Sequence, residues 1–204
     1  MKFNKRRFVY LISPTKIDNF FYSDLINILK QKKVTFFQLR LKKDSFKTKL
    51  KIGKKIKKIC KKYNVKFLVN DNVYLAKELN SDGCHLGQKD MNITDARKLI
   101  GNKIIGITCH NSISLAKDAI NNKADYIALG AFNASNTKKI KYKASINTIK
   151  KVRKITKIPI VAIGGINLKN YKKLLLNKAN FLAISGFIWK NKKLKPQEAI
   201  KKLI

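Results

Sequence analysis

Asp71 and Asp90 each closely follow a short apolar run, in KFLVND (66–71) and GCHLGQKD (83–90). In a chain with 47 Lys+Arg against 11 Asp+Glu, an acid kept at such a place needs a reason. Asp18, Asp24, Asp95, Asp118 and Glu198 fall in or near helix starts or on exposed helix faces, where acids favour the helix dipole or pair with lysines. Asp82 and Asp125 precede apolar runs instead of following them. Asp71 and Asp90 instead follow neighbouring apolar runs, which makes them a carboxylate pair. Two oxygen donors with open positions suit magnesium, which takes one or two carboxylates plus substrate phosphate. The plain alternative is an ion pair of each acid with a nearby lysine.

Other residues point to anions. In QLRLK (38–42), Gln38, Arg40 and Lys42 alternate, so an extended chain aims all three the same way. On the inner face of a sheet such a charged set is costly unless it binds something. SNTKK (135–139) offers the hydroxyls of Ser135 and Thr137 beside Lys138, and AIGGIN (162–167) and AISGF (183–187) are glycine-rich exits whose backbone N–H groups can approach an anion. Two anion sites, one of them with a metal, describe an enzyme that joins or cleaves phosphorylated small molecules. His85 reads equally as a hydrogen-bonded core residue or a substrate contact. It shares no ligand spacing with His110.

The elements that must position these residues recur along the whole chain. Eight β-branched or aromatic runs, 8–13, 35–41, 66–70, 83–87, 104–109, 126–131, 158–165 and 181–186, alternate with lysine-rich segments of helical apolar spacing such as 20–31, 51–63, 114–122 and 146–155. Alternation predicts parallel strands joined by right-handed crossovers. Near-continuous apolar strands predict burial on both faces. Eight such units fit a single α/β domain over residues 1–204, a (β/α)8 TIM barrel, better than an open doubly wound sheet. Its active site belongs at the strand C-termini, where the polar residues fall, and the loops after strands seven and eight are the common phosphate site of such barrels.

The net charge of +36 would attract any polyanion. However, only Arg6, Arg7, Arg40, Arg97 and Arg153 of the basic residues are arginine, and the chain is equally heavy in Asn and Ile. Lys, Asn and Ile share A/T-rich codons, so codon bias accounts for the charge without a specific nucleic-acid partner. Cys60, Cys84 and Cys109 form no CxxC pair and read as reduced, buried cysteines of a cytoplasmic protein. FVYLI (8–12) is too short for a signal-peptide core, and no stretch reaches the roughly 20 apolar residues of a membrane span. The sequence does not set the oligomeric state.

In order, QLRLK (38–42), VND (69–71), DGCHLGQKD (82–90), GITCHN (106–111), ADYIALGAFNASNTK (124–138), IPIVAIGGI (158–166) and FLAIS (181–185) resemble the thiamine phosphate synthase family over almost the whole chain. The resemblance implies a barrel that couples hydroxymethylpyrimidine diphosphate to hydroxyethylthiazole phosphate, releasing pyrophosphate. By position it implies that Gln38, Arg40, Lys42 and Asn70 hold the pyrimidine diphosphate, with Asp71 and Asp90 binding magnesium against it. Thr108 stands where the family usually has Ser. Ser135, Thr137 and Lys138 match a loop that contacts both the diphosphate and the thiazole phosphate, and Gly165, Ile184 and Ser185 match the thiazole-phosphate backbone site. Arg40, Lys42, Lys138 and Thr108 would carry the catalytic roles. Three stretches depart from the family pattern: GAFNASNTK (130–138) has Ala131 and Ala134 in place of prolines and Asn133 in place of an apolar or aromatic residue, SPTK (13–16) ends strand one, and GFIW (186–189) follows Ser185. The alternatives are a thiazole tautomerase of the same superfamily, which would need no metal and diphosphate set, and a basic nucleic-acid-binding protein, which would need stacking aromatics on an exposed basic face.

Overall fold

The computed structural model describes residues 7–133 and 141–203. Among them, eight parallel strands pair in sequence order and close on themselves: β1 Val9–Ile12, β2 Val34–Leu39, β3 Lys66–Asn70, β4 Gly83–Leu86, β5 Ile104–His110, β6 Tyr126–Gly130, β7 Ile160–Ile163 and β8 Phe181–Ile184. Each strand is followed by helix: α1 Phe21–Lys30, α2 Phe46–Lys62, α3 Val73–Glu78, α4 Ile93–Ile100, α5 Ile113–Asn121, α6 Ile146–Ile155, α7 Tyr171–Leu176, then α8 Gly186–Trp189 and α9 Pro196–Lys201. This is the (β/α)8 barrel. No helix among the described residues is long and apolar enough to cross a membrane.

The strands read as continuous apolar runs because they are buried twice. Val9, Leu11, Phe37, Phe67 and Cys84 face the helices, whereas Tyr10, Phe36, Leu68, Tyr126, Val161 and Phe181 fill the barrel interior. The helices begin where a polar side chain meets an orphan N–H: Ser45, Asn72, Asn92, Ser112 and Ser145 each cap the helix that follows. Strand two is shorter than its apolar run suggests. It ends at Leu39 because the Arg40 N–H bonds Ser13 Oγ at 2.9 Å instead of a neighbouring strand, so Arg40 and Lys42 leave from the loop and only Gln38 from the strand.

The end of the barrel remote from Asp71 and Asp90 is stitched by a recurring device. The residue just before each of β4, β6 and β8 accepts a hydrogen bond from a backbone N–H near the start of the preceding strand: Asp82 from Phe67, Asp125 from Ile105 and Asn180 from Ile160, at 2.8–2.9 Å. A cation holds each acceptor, respectively Lys66, Arg97 and Arg153. Arg97 and Arg153 make equivalent forks: Arg97 donates to the carbonyls of Gly101, Lys103 and Lys123 as well as to Asp125, and Arg153 to those of Thr156, Ile158 and Lys178 as well as to Asn180. Arg7 spans the carbonyls of Val34, Tyr63 and Asn64 at the same end. Four acceptors in fixed directions suit a planar guanidinium and not an ammonium.

Candidate active site

The opposite end gathers the polar residues. β3 ends at Asn70, and Asp71 turns the chain with φ +64° before Asn72 caps α3. Left-handed backbone is uncommon for a non-glycine residue, though aspartate tolerates it better than most. The Asp71 N–H donates to the His85 carbonyl at 2.8 Å, which fixes the turn against β4. After β4, Asp90 reaches back to accept from the Gly87 N–H at 2.6 Å.

These turns bring the two carboxylates close enough for Asp71 to act on the Asp90 carboxyl, with Lys42 Nζ 3.1 Å from Asp71 Oδ2. Partial burial raises the Asp90 carboxyl above the usual carboxylate range; the Gly87 N–H opposes this and the neighbouring Asp71 adds to it. The lysine ion pair foreseen as the plain alternative therefore exists at Asp71. It does not remove the repulsion between the acids. A cleft of about 540 Å³ opens beside them, lined by Lys42, Lys49, Asn70, Tyr74 and Met91 among others.

The barrel interior behind this cluster holds an uninterrupted polar chain. Gln38 Nε2 donates to Tyr10 Oη at 2.9 Å, Tyr10 Oη meets Tyr126 Oη at 2.8 Å, Tyr126 Oη meets His85 Nδ1 at 2.8 Å, and His85 Nε2 meets Thr108 Oγ1 at 2.9 Å. Desolvation lowers the His85 pKa to about 4, with Asp71 opposing and Arg40 reinforcing the shift. The ring is neutral at pH 7. Burial raises both tyrosines well above their usual range, so they stay protonated. Gly106 makes room for this arrangement: a Cβ there would lie 1.9 Å from the Tyr126 ring.

Of the residues singled out in the sequence, Gln38, Asn70, Asp71, Asp90, Thr108 and the half-buried Arg40 share the mouth with exposed Lys42. Gly165 follows β7 in a left-handed pair with Gly164, its carbonyl taken by the Asn167 and Asn170 side chains. Ile184 is buried at the end of neighbouring β8, and Ser185 donates to the Ser13 carbonyl at 3.2 Å. Ser135, Thr137 and Lys138 lie outside the described residues. Two of the departures from the family pattern have structural partners here, and residues 134–138 of the third lie outside the described residues. Ser13 takes the Arg40 N–H, and Trp189 Nε1 donates to the Ile12 carbonyl at 2.7 Å, tying α8 across the β8–β1 seam. The sequence reading passed over Tyr10 and Tyr126, although a tyrosine at an inward strand position signals a buried hydroxyl in need of a partner.

Comparison with known proteins agrees with this fold. The family model described as Thiamine monophosphate synthase matches residues 9–188. A thiamine-phosphate synthase of Pelagibacter ubique (strain HTCC1062) is 66% identical over 206 residues, covering 100% of both chains. One from Erythrobacter litoralis (strain HTCC2594) is 40% identical over 187 residues, covering 89% of this chain and 87% of its own. Among solved structures, a thiamine phosphate pyrophosphorylase from Pyrococcus furiosus superposes with a TM-score of 0.86 at 26% identity, covering 98% of this chain and 94% of that one.

Proposed function

Since the chain belongs to the thiamine monophosphate synthase family, we propose that its barrel mouth couples hydroxymethylpyrimidine diphosphate to hydroxyethylthiazole phosphate, forming thiamine phosphate and releasing pyrophosphate. The observation that carries the reading is the Asp71–Asp90–Lys42 cluster beside Asn70 and Arg40. Two adjacent acids kept in so basic a chain fit a divalent cation that a diphosphate shares. A thiazole tautomerase would have no use for that set.

Asp71 and Asp90 would hold magnesium, which when bound supplies positive charge to the departing diphosphate. Arg40 and Lys42 leave the end of β2 toward the same place, where their charges stabilise the leaving group as its negative charge grows. The C–O bond between the pyrimidine methylene and the diphosphate breaks with its electron pair going to oxygen. The resonance-stabilised pyrimidine cation is then captured by the lone pair of the thiazole nitrogen. No protein nucleophile is required. Gly164, Gly165, Ile184 and Ser185, at the adjoining exits of β7 and β8, supply backbone for the thiazole phosphate, and Ser135, Thr137 and Lys138 complete the set in our reading.

The test is to incubate the protein with both substrates and magnesium, measure thiamine phosphate and pyrophosphate, and titrate each substrate into Arg40→Gln. We expect equimolar products, with binding weakened by roughly 1.5–3 kcal/mol for the pyrimidine diphosphate only. Isomerisation of the thiazole without coupling, or equal weakening for both ligands, would move the assignment to a tautomerase.

A further inference from the structure

The buried hydrogen-bond chain has a direction. A tyrosine hydroxyl carries one hydrogen. With Gln38 Nε2 donating to Tyr10, the Tyr10 hydrogen goes to Tyr126, and the Tyr126 hydrogen goes to His85 Nδ1. The imidazole hydrogen is then on Nε2, where Thr108 Oγ1 accepts it at 2.9 Å. Thr108 is half-buried at the mouth, and among the described residues no protein atom takes its own hydroxyl hydrogen.

Packing does not require the polar atoms of this chain. Phe36 and Phe181 fill the same interior with carbon alone, in edge-on contact at 5.0 Å. A polar relay in that setting is expensive unless every member is satisfied. Here each internal partner is satisfied, and at the Thr108 end the hydroxyl hydrogen is uncommitted among the described residues. The ring that donates to Thr108 is held against Tyr126, with centroids 5.7 Å apart and planes 17° from parallel.

We propose that His85 is a positioning residue: as the Nε2–H tautomer it donates to Thr108 and so turns the Thr108 hydroxyl into a fixed hydrogen-bond donor for an uncharged acceptor on the pyrimidine ring of the diphosphate substrate. This rests on the synthase reading above. The ring is the fitting partner, and not the diphosphate, because every member of the relay is neutral.

Two measurements test it. Nitrogen-15 NMR of the full chain labelled at histidine has only His85 and His110 to assign, and His110→Gln distinguishes them. His85 should be protonated at Nε2 from pH 6 to 8 with no substrate present; protonation at Nδ1 means the relay runs the other way and overturns the proposal. In steady-state coupling, Thr108→Val should lower kcat/KM for the pyrimidine diphosphate by about 10–100-fold and leave KM for the thiazole phosphate unchanged, whereas Thr108→Ser, which keeps the hydroxyl, should avoid most of that loss. His85→Leu should cost as much in the parent yet nothing further in Thr108→Val, and His85→Gln, which keeps an N–H, should recover part of the loss. An undiminished His85→Leu effect in the Thr108→Val background would make His85 merely structural and overturn the proposal. A parent that couples nothing would overturn the synthase reading and the substrate half of this one, while an Nδ1–H signal in an active parent overturns this proposal alone.

Discussion

Asp71 is held by three constraints at once: a left-handed backbone, an N–H committed to the His85 carbonyl, and Lys42 on its carboxylate. Replacing Asp71 or Asp90 by Asn keeps the side-chain volume and opens no cavity, so the fold should persist while coupling falls by more than the roughly 10–100-fold that partners outside a metal's coordination sphere cost. A thermal melt together with a magnesium titration of activity checks this; near-parental turnover at limiting magnesium would remove that acid from the metal site. The acids were legible because so few compete with them. The relay behind them was not, since Tyr10 and Tyr126 lie 116 residues apart and only barrel closure makes them neighbours. His85 also makes a pH prediction. Its pKa is near 4 folded and about 6.5 unfolded, so in that window the unfolded chain binds the extra proton and stability rises with pH. The contribution, on the order of 3 kcal/mol, is complete above about pH 6.5 and lost as pH falls toward 4. His85→Gln should flatten the melting-temperature profile between those limits; an unchanged slope would assign the acid sensitivity to other groups.

Elements were readable wherever burial on both faces forces apolar runs, and their ends were not, because ends are set by individual hydrogen bonds. Arg40 continues the alternation of strand two in sequence, yet Ser13 takes its N–H and the strand stops. The same limit hid the arginine forks. In a composition that uses lysine almost everywhere, Arg97 in α4 and Arg153 in α6 stand where one side chain must satisfy four acceptors on two loops. Arg153→Lys preserves the charge but cannot span Ile158, Lys178 and Asn180 together. It should cost about 1–2 kcal/mol, read as a melting-temperature drop of roughly 2–8 °C, with turnover at 25 °C unaffected. A variant as stable as the parent would show that the ammonium and water replace the fork.

The molecule as a whole presents a net charge of +36, and its described aromatic residues are mostly committed to the barrel interior or its helix layer. Binding to duplex DNA should therefore follow counterion release alone, indifferent to sequence and falling by roughly tenfold or more between 50 and 200 mM salt. Affinity that survives physiological salt and discriminates between sequences would reveal a nucleic-acid surface beyond the enzyme.

The stitched end of the barrel divides the strands into couples, β3 with β4, β5 with β6 and β7 with β8, each locked by its own Asp or Asn and cation, while a contact such as Lys103 on the Ser81 carbonyl bridges β4 to β5 with a single ammonium. A closed barrel has no privileged starting strand, so new chain ends can be tried at any loop. Circular permutants opened between couples, in the loop before β5 or before β7, should refold with melting temperatures close to one another. Those opened inside a couple, just before β4 or β6, sever the backbone beside the locking carboxylate and should melt distinctly lower. The unit of construction in this chain would then be the strand couple with its helices, a quarter of the barrel, and not the single strand and helix that its sequence repeats.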